Sequence, residues 1–380
     1  MNWNTIRRFV TEHASQSHLC ICNNDLFDAS IAEGIYGFPH SGTNRAKSFW
    51  RSIASMCNVG VNDLIFLYRT NGENAGCKEI HGPFRIFDVE GQPSTFYELN
   101  AEDFPIYIND EIDCKVKFLY SAFENEIYSI ADNYQLIARY ETREIWGYRH
   151  PAVMNIGAAR KKSVSTFTNR HTHVFIDLLE QCGVLRETLD QPIPSHERIE
   201  HLEDLEPTIT KFKIDGSFLA SNYSEDEAFL YSFFISALKN NANYYSHDVF
   251  TDFSAINNHI LERENIAFED LINNIMLEVI ITTHLQDELD VVLTSLDDAT
   301  ILFLEFKVGM LNQRDINQVQ NYISILNVIW PRKNIFANLV GSGKEMNLVI
   351  GNDFIEKIRL VEYTVTQQNQ LRIRFNDITR

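Results

Sequence analysis

Apolar and polar positions follow two different periods along this chain. Up to about residue 175, short runs rich in β-branched and aromatic residues lie between Gly, Asn and Pro, at 18–22, 64–68, 82–87 and 114–118. Such runs bounded by turn residues are the strand signature, and they predict a small mixed or β-rich domain. Residues 174–180 then take helical spacing, with Gly183 placed to end the helix.

The texture changes again after that helix. Pro192, Pro194 and Pro207 punctuate an acidic stretch, which reads as a linker over 184–217 between domains at 1–183 and 218–380. The second domain opens with Ser224 as an N-cap and Glu225, Asp226 and Glu227 in an acidic first turn, followed by apolar residues at helical spacing to Leu238. A second helical stretch covers 268–275. Strand-like runs follow at 277–282, 289–294 and 301–308, then a helix over 316–328. Runs at 347–350 and 371–375 are expected to close the sheet. The order α, β, β, β, α, β predicts an α/β domain around a central mixed sheet, so the whole chain is expected to be a two-domain α+β and α/β protein.

Composition narrows the picture. No run of about 18 apolar residues occurs, and Met1-Asn2-Trp3-Asn4 does not open a leader, so a soluble cytoplasmic protein with no membrane partner is expected. The six cysteines, at 20, 22, 57, 77, 114 and 182, have neither the density of a disulfide scaffold nor CxxC spacing. A net charge of −19 excludes a surface that binds nucleic acid all over, because phosphate binding needs Lys and Arg. Any such contact is local. Arg143, Arg149, Arg160, Lys161, Lys162 and Arg170 stand against only Glu141 and Glu144, and read as a phosphate-binding stripe or as a solvated face.

The candidate chemistry sits between residues 289 and 308. Two apolar runs flank a polar loop at 295–300, the pattern of an antiparallel hairpin. Pairing Thr294 with Ile301 puts Asp290 opposite Glu305, and the two-residue strand period puts Lys307 on Glu305's face. Opposed Cβ atoms lie roughly 4.5 to 5.5 Å apart. Two carboxylates that close repel, and a hard divalent cation with oxygen ligands is the natural compensation. The plainer alternative is a surface hairpin of exposed salt bridges; apolar residues on both faces of 301–308 speak against it.

With Asp290 on one strand and Glu305-Phe306-Lys307 on the next, the sequence resembles the PD-(D/E)xK nuclease superfamily. Downstream, Gln318-Val319-Gln320-Asn321-Tyr322 is similar to the Q-x-x-x-Y element of its RecB-like members, with Gln318 and Tyr322 one helical turn apart. Glu227 takes the place of the first-helix glutamate, a role Glu225 could also fill. The resemblance implies a restriction-endonuclease-like domain that cuts phosphodiesters with Mg, or Mn in its place, held by Asp290 and Glu305. The proline that names the superfamily is absent, Glu288-Leu289 standing before Asp290. If that assignment failed, Glu278, Asp287 and Glu288 would be the next carboxylates to consider.

Gly34-Ile35-Tyr36-Gly37, Asn44-Arg45-Ala46, Val61 to Tyr68 and Ile80 to Ile86 occur in an order similar to the PUA-like barrels of the EVE and YTH type. That resemblance covers about 15–175 and implies a barrel that reads a flipped or modified base in an aromatic pocket. Tyr36 and Trp50 are the pocket candidates, with Asn44 for a base edge and Arg45, Arg160, Lys161, Lys162 and Arg170 for phosphates. Each aromatic could equally be a core residue. His171-Thr172-His173 lacks a carboxylate or cysteine at metal spacing. Gly341-Ser342-Gly343-Lys344 fails as a P-loop, since Asn338 and Glu345 stand where the motif needs Gly and Ser or Thr.

Joined, the two resemblances lead us to expect a modification-dependent endonuclease acting on double-stranded DNA, with a homodimer if both strands are cut. Its rivals are a repair or restriction nuclease without base sensing, and a non-catalytic RNA-binding protein with an inactive nuclease-like domain.

Overall fold

The computed structural model describes residues 3–13, 15–23, 26–27, 30, 35–40, 47–60, 62–69, 79–86, 97–98, 113–121, 128–131, 164–182, 184–186, 210–211, 227–239, 249–271, 274–281, 287–297, 299–367 and 371–379. Its contacts divide the chain into two units, Met1–Ile145 with Arg149–Lys213, and Trp146–Tyr148 with Ile214–Arg380. Both are α+β, each with an open mixed sheet. No helix among the described residues is long and apolar enough to cross a membrane.

The first unit carries α1 (Trp3–His13), β1 (Ser17–Cys22), β2 (Ile35–His40), α2 (Lys47–Cys57), β3 (Leu64–Arg69), β4 (Glu79–Ile86), β5 (Tyr97–Glu98), β6 (Asp113–Ser121), β7 (Tyr128–Ala131), β8 (Val164–Phe167), α3 (Asn169–Cys182), β9 (Val184–Arg186) and β10 (Thr210–Lys211). Its sheet runs β10-β5-β6-β4-β3-β1-β8, with β2 on β6 and β7 on both β4 and β9. Among the described residues these pairings leave the sheet open and branched, where the resemblance leads one to expect a closed barrel. Residues 184–217, expected as a linker, contribute β9 and β10 to it.

The core of this unit forms because α1 buries Trp3, Ile6 and Val10 along one stripe, at helical spacing. They meet Leu19, Leu64 and Phe66 from β1 and β3, and Phe175, Ile176 and Leu179 from α3. Phe175 stacks on Phe167 with centroids 4.9 Å apart and meets Phe66 edge-on at 4.7 Å, both favoured ring geometries.

The second unit runs α4 (Glu227–Leu238), β11 (Val249–Asp252), α5 (Ser254–Glu264), α6 (Phe268–Leu271), β12 (Ile275–Ile280), β13 (Glu288–Thr294), β14 (Thr300–Phe306), α7 (Gln313–Ile329), β15 (Asn334–Gly341), β16 (Ile358–Gln367) and β17 (Leu371–Asp377). Its strands lie in the order β11-β17-β16-β15-β14-β13-β12. The antiparallel meander β12-β13-β14 is followed by α7 and a parallel β15. The expected order α, β, β, β, α, β is therefore present, with two corrections. The strand after α7 is β15, because residues 335–340 are all buried and apolar apart from Asn338, whereas 347–350 form no strand and begin with a left-handed Asn347 (φ 65°). The helix expected over 268–275 stops at Leu271, and a longer helix, α5, precedes it.

Two helices frame the sheet's middle. On α4, residues 228–235 are buried around the whole circumference, so this helix is enclosed rather than amphipathic. At the other, α7, Asn312 caps the helix: its side chain accepts from Arg314 and Asp315 N–H while Asp315 returns a bond to Asn312 N–H. That capping box fixes where α7 starts. Ile316, Val319, Tyr322, Ile323 and Leu326 then bury one stripe against the sheet.

Candidate active site

The site grows from the β13–β14 hairpin. Ser295 N–H donates to Thr300 O and Thr300 N–H returns to Ser295 Oγ, closing the loop. The ladder pairs Thr294 with Ile301, Leu293 with Leu302, Val292 with Phe303 and Val291 with Leu304, the register expected from the loop. The paired rungs end there; the same register continued by one residue would oppose Asp290 to Glu305, and the charge of Glu305 does act on Asp290. Here the backbone ladder gives way to a side chain: Phe306 N–H donates to Asp290 Oδ2 at 2.8 Å. Lys307 N–H turns the other way, to Val340 O on β15 at 2.7 Å, which keeps the chain extended past β14.

Glu305 is 3 % exposed in a strand buried along its length. Its Oε1 accepts from Lys307 Nζ at 2.9 Å, and the same ammonium reaches Glu227 Oε1 on the first turn of α4 at 3.4 Å. Two carboxylates thus hold one lysine, and the charge of Asp290 acts on it as well. Glu305 Oε2 is buried and makes no hydrogen bond of normal geometry, although the nearby Asp290 N–H helps lower the group's pKa.

These positions have electrostatic consequences. Burial raises the Asp290 carboxyl well above the usual carboxylate range, even though part of the residue reaches solvent, and the Glu305 charge raises it further. Glu305 is itself pushed up to about 7, by burial first, against the opposing pull of Lys307. For Lys307, burial acts to lower the pKa, but Glu305 and Glu227 outweigh it and the ammonium is held charged.

On α7, Gln318 Nε2 donates to Tyr322 Oη at 2.5 Å, as their one-turn spacing allows. The Tyr322 ring lies 6.5 Å from Phe303, which shares Glu305's face of β14. Burial and the Glu305 charge push the Tyr322 phenol up to about 12, so it stays protonated at neutral pH. Asp290, Glu305, Lys307 and Glu227 are therefore brought together, with Gln318 and Tyr322 beside them; Glu225 lies outside the described residues. Among the described residues no group of three or more His, Cys, Asp or Glu stands at metal-holding geometry. A magnesium ion needs only one or two protein carboxylates, since water fills its other positions.

A second polar contact on this sheet escapes the motif reading. Tyr231 Oη donates to Glu278 Oε1 at 2.6 Å, joining α4 to β12. No spacing in the sequence signals this bond, whose partners are 47 residues apart, although Tyr231 stands one helical turn after Glu227.

The first unit treats its candidates differently. Tyr36 is 1 % exposed and donates its hydroxyl to Ile21 O at 3.0 Å; Trp50 is 3 % exposed. Neither ring presents an open face for stacking, which fits the alternative of core residues. Arg170 is exposed at the first turn of α3. Asn44, Arg45, Arg160, Lys161 and Lys162 lie outside the described residues.

Compared with known proteins, the chain matches no family profile, no curated protein and no solved structure.

Proposed function

We propose that the C-terminal unit is a metal-dependent nuclease that hydrolyses phosphodiester bonds, with double-stranded DNA as its substrate. The observation that carries this reading is Glu305 Oε2, a buried carboxyl oxygen without a hydrogen-bond partner, on a group whose charge acts on Asp290. Leaving such an acceptor unsatisfied costs about 1 to 3 kcal/mol, more when charged. A hard divalent cation fits this donor set, because it would give Oε2 a partner and offset the repulsion of the two carboxylates. Asp290 and Glu305 would hold it. Magnesium, or manganese in its place, supplies polarisation of the phosphate and a more acidic bound water.

The chain's own groups account for the rest. An ammonium has three N–H donors, of which Lys307 directs one to Glu305 and one to Glu227. The third is left to orient water or to stabilise charge developing on a phosphate oxygen. Tyr322 accepts from Gln318 and keeps its own proton, so it can donate toward the same region.

In this proposal the N-terminal unit selects the substrate by reading a modified or flipped base, on the strength of the order of its motifs, which makes the protein a modification-dependent endonuclease. The test is cleavage of plain and base-modified duplexes with magnesium, with manganese and with chelator. Cleavage is expected only with divalent ion, and faster on a modified duplex. No cutting of any duplex with either ion would overturn the nuclease reading. Equal rates on all duplexes would leave the nuclease and remove the sensor.

A further inference from the structure

Glu278 carries two energetic costs that a neutral strand residue would not. It is a carboxyl 3 % exposed in an otherwise apolar strand, and its backbone is left-handed, with φ 49°. For a non-glycine residue that conformation costs roughly 1 to 2 kcal/mol. It also interrupts the β12–β13 ladder: Leu277 pairs with Val291 and Val279 with Leu289, while Glu278 and Asp290 make no rung between them. The break lies beside the one residue of β13 that the candidate site uses.

The departure brings Glu278 to Tyr231, itself 1 % exposed. Tyr231 sits one helical turn after Glu227, so both side chains project from the same face of α4. Glu227 reaches Lys307 and Tyr231 reaches Glu278. The helix is thus tied at two successive turns, once to the lysine of the site and once to the strand beyond it. The ring of Tyr231 also lies 6.4 Å from Phe306, the residue between Glu305 and Lys307.

We propose that Tyr231 and Glu278 form a positioning pair: their hydrogen bond sets the rotation of α4 about its axis and so keeps the Glu227 carboxylate against the Lys307 ammonium. Neither residue touches the reacting atoms. The inference rests on the nuclease reading for its kinetic arm only. Its physical arm, the restraint on Lys307, is independent of any activity.

Tyr231→Phe removes a single oxygen and keeps the ring, and Glu278→Gln keeps an acceptor for the hydroxyl. Glu278→Ala removes the acceptor. Turnover of a duplex with saturating magnesium is expected to fall about tenfold or more in Tyr231→Phe and Glu278→Ala, since small misplacements of a site group commonly cost that much. KM for the duplex and affinity for magnesium should hold, and Glu278→Gln should restore kcat to within about threefold of the parent. In parallel, reductive methylation of Lys307, followed by mass spectrometry on the folded full-length protein, should speed up severalfold in Tyr231→Phe and not in Glu278→Gln. Unfolding midpoints identify any variant that simply fails to fold, and if Glu278→Ala does so, Tyr231→Phe carries the test. Loss of magnesium affinity in Glu278→Gln would overturn the proposal by making Glu278 a ligand. Parent-like kcat and parent-like Lys307 reactivity in Tyr231→Phe would overturn it as well. If the parent cuts nothing, the nuclease reading fails, and the methylation rates still decide on the restraint.

Discussion

Each unit buries a cluster of titratable side chains, and the two clusters are finished differently. In the first unit, His18 contacts Asp63 Oδ2 through Nε2 at 2.8 Å and Thr166 Oγ1 through Nδ1 at 3.0 Å. Asp63 also accepts from Gly60 N–H at 2.8 Å and Gln16 N–H at 3.1 Å, and Thr166 accepts from Asn58 at 3.4 Å. Each oxygen of that carboxylate and each nitrogen of that ring is used, and all partners are protein. In the second unit Glu305 keeps an unspent oxygen, and burial raises two carboxyl pKa values. A saturated buried network fixes a fold, whereas one that leaves a buried carboxylate oxygen unsatisfied is costly alone and gains from a ligand. The Asp–His–Thr chain looks like catalytic machinery by residue type, yet its closure marks it as a clamp holding the turn before β3 to β1 and β8.

The largest expected effect breaks the closed network. Asp63→Ala strips three donors of their acceptor at once, and should cost about 3 to 5 kcal/mol of stability, as loss of one partner from a buried pair does. Denaturant unfolding measures it, and divalent-ion affinity should not move. A loss below about 1 kcal/mol would mean the network is not as tightly made as its geometry implies. Next in size is Lys307→Ala, which should leave divalent affinity in place while turnover falls by about 10² to 10³. Glu305→Ala should lose ion and turnover together. Parent-like cleavage by Lys307→Ala would move the search to Glu278, Asp287 and Glu288.

How far the sequence shows these differences depends on how local each one is. The hairpin and its register follow from a six-residue polar loop between two apolar runs, which brings Asp290, Glu305 and Lys307 together. The helix α7 was legible from its apolar stripe and its Gln-Tyr spacing. By contrast α5 hides because its buried side includes His259, which contacts Asn338 at 2.7 Å, so the stripe of Ala255, Ile256, His259 and Ile260 looks too polar to be a core face. The strand β15 competes in the sequence with 347–350, which has a similar Asn-Leu-Val-Ile composition but too little length to cross the sheet. Nothing local announces the Tyr231–Glu278 bond, because it joins residues far apart through a backbone conformation that glutamate rarely takes. The saturation of the His18 network was equally invisible, since it depends on backbone N–H groups from a turn.

A pH series sharpens the comparison by a smaller amount. Asp290 and Glu305 have folded pKa values above their ordinary ones, so the stability they contribute is complete below the usual carboxylate range and is lost as pH rises through about 7 for Glu305. Lys307 is raised too, but its contribution persists until well into the alkaline range and does not act in this window. Asp252, Asp297 and Asp377 are lowered and act only at acid pH, below the ordinary aspartate value. With chelator present, amides of β13 and β14 should therefore exchange faster at pH 8 than at pH 5.5, after correction for intrinsic rates. Magnesium should narrow that gap, because it binds the ionised carboxylates. A gap of equal size with and without magnesium would separate the carboxyls from ion binding.

The smallest effect concerns the turn that completes the first network. Asn62 is left-handed, with φ 67°, immediately before Asp63, whose N–H donates to Gly60 O across that turn. Asparagine tolerates this region far better than glutamate does, so strain at Asn62 is modest where strain at Glu278 is not. Asn62→Gly should change stability by no more than about 0.5 kcal/mol, since the strain relieved is offset by greater freedom of the unfolded chain. Asn62→Ala should destabilise by about 1 kcal/mol, because alanine brings a Cβ into the left-handed region without asparagine's compensating local hydrogen bonds. Both values come from denaturant midpoints at unchanged m. If alanine were as good as asparagine, the turn would be adapting around the residue, and the closed network would be softer than the contacts of Asp63 imply.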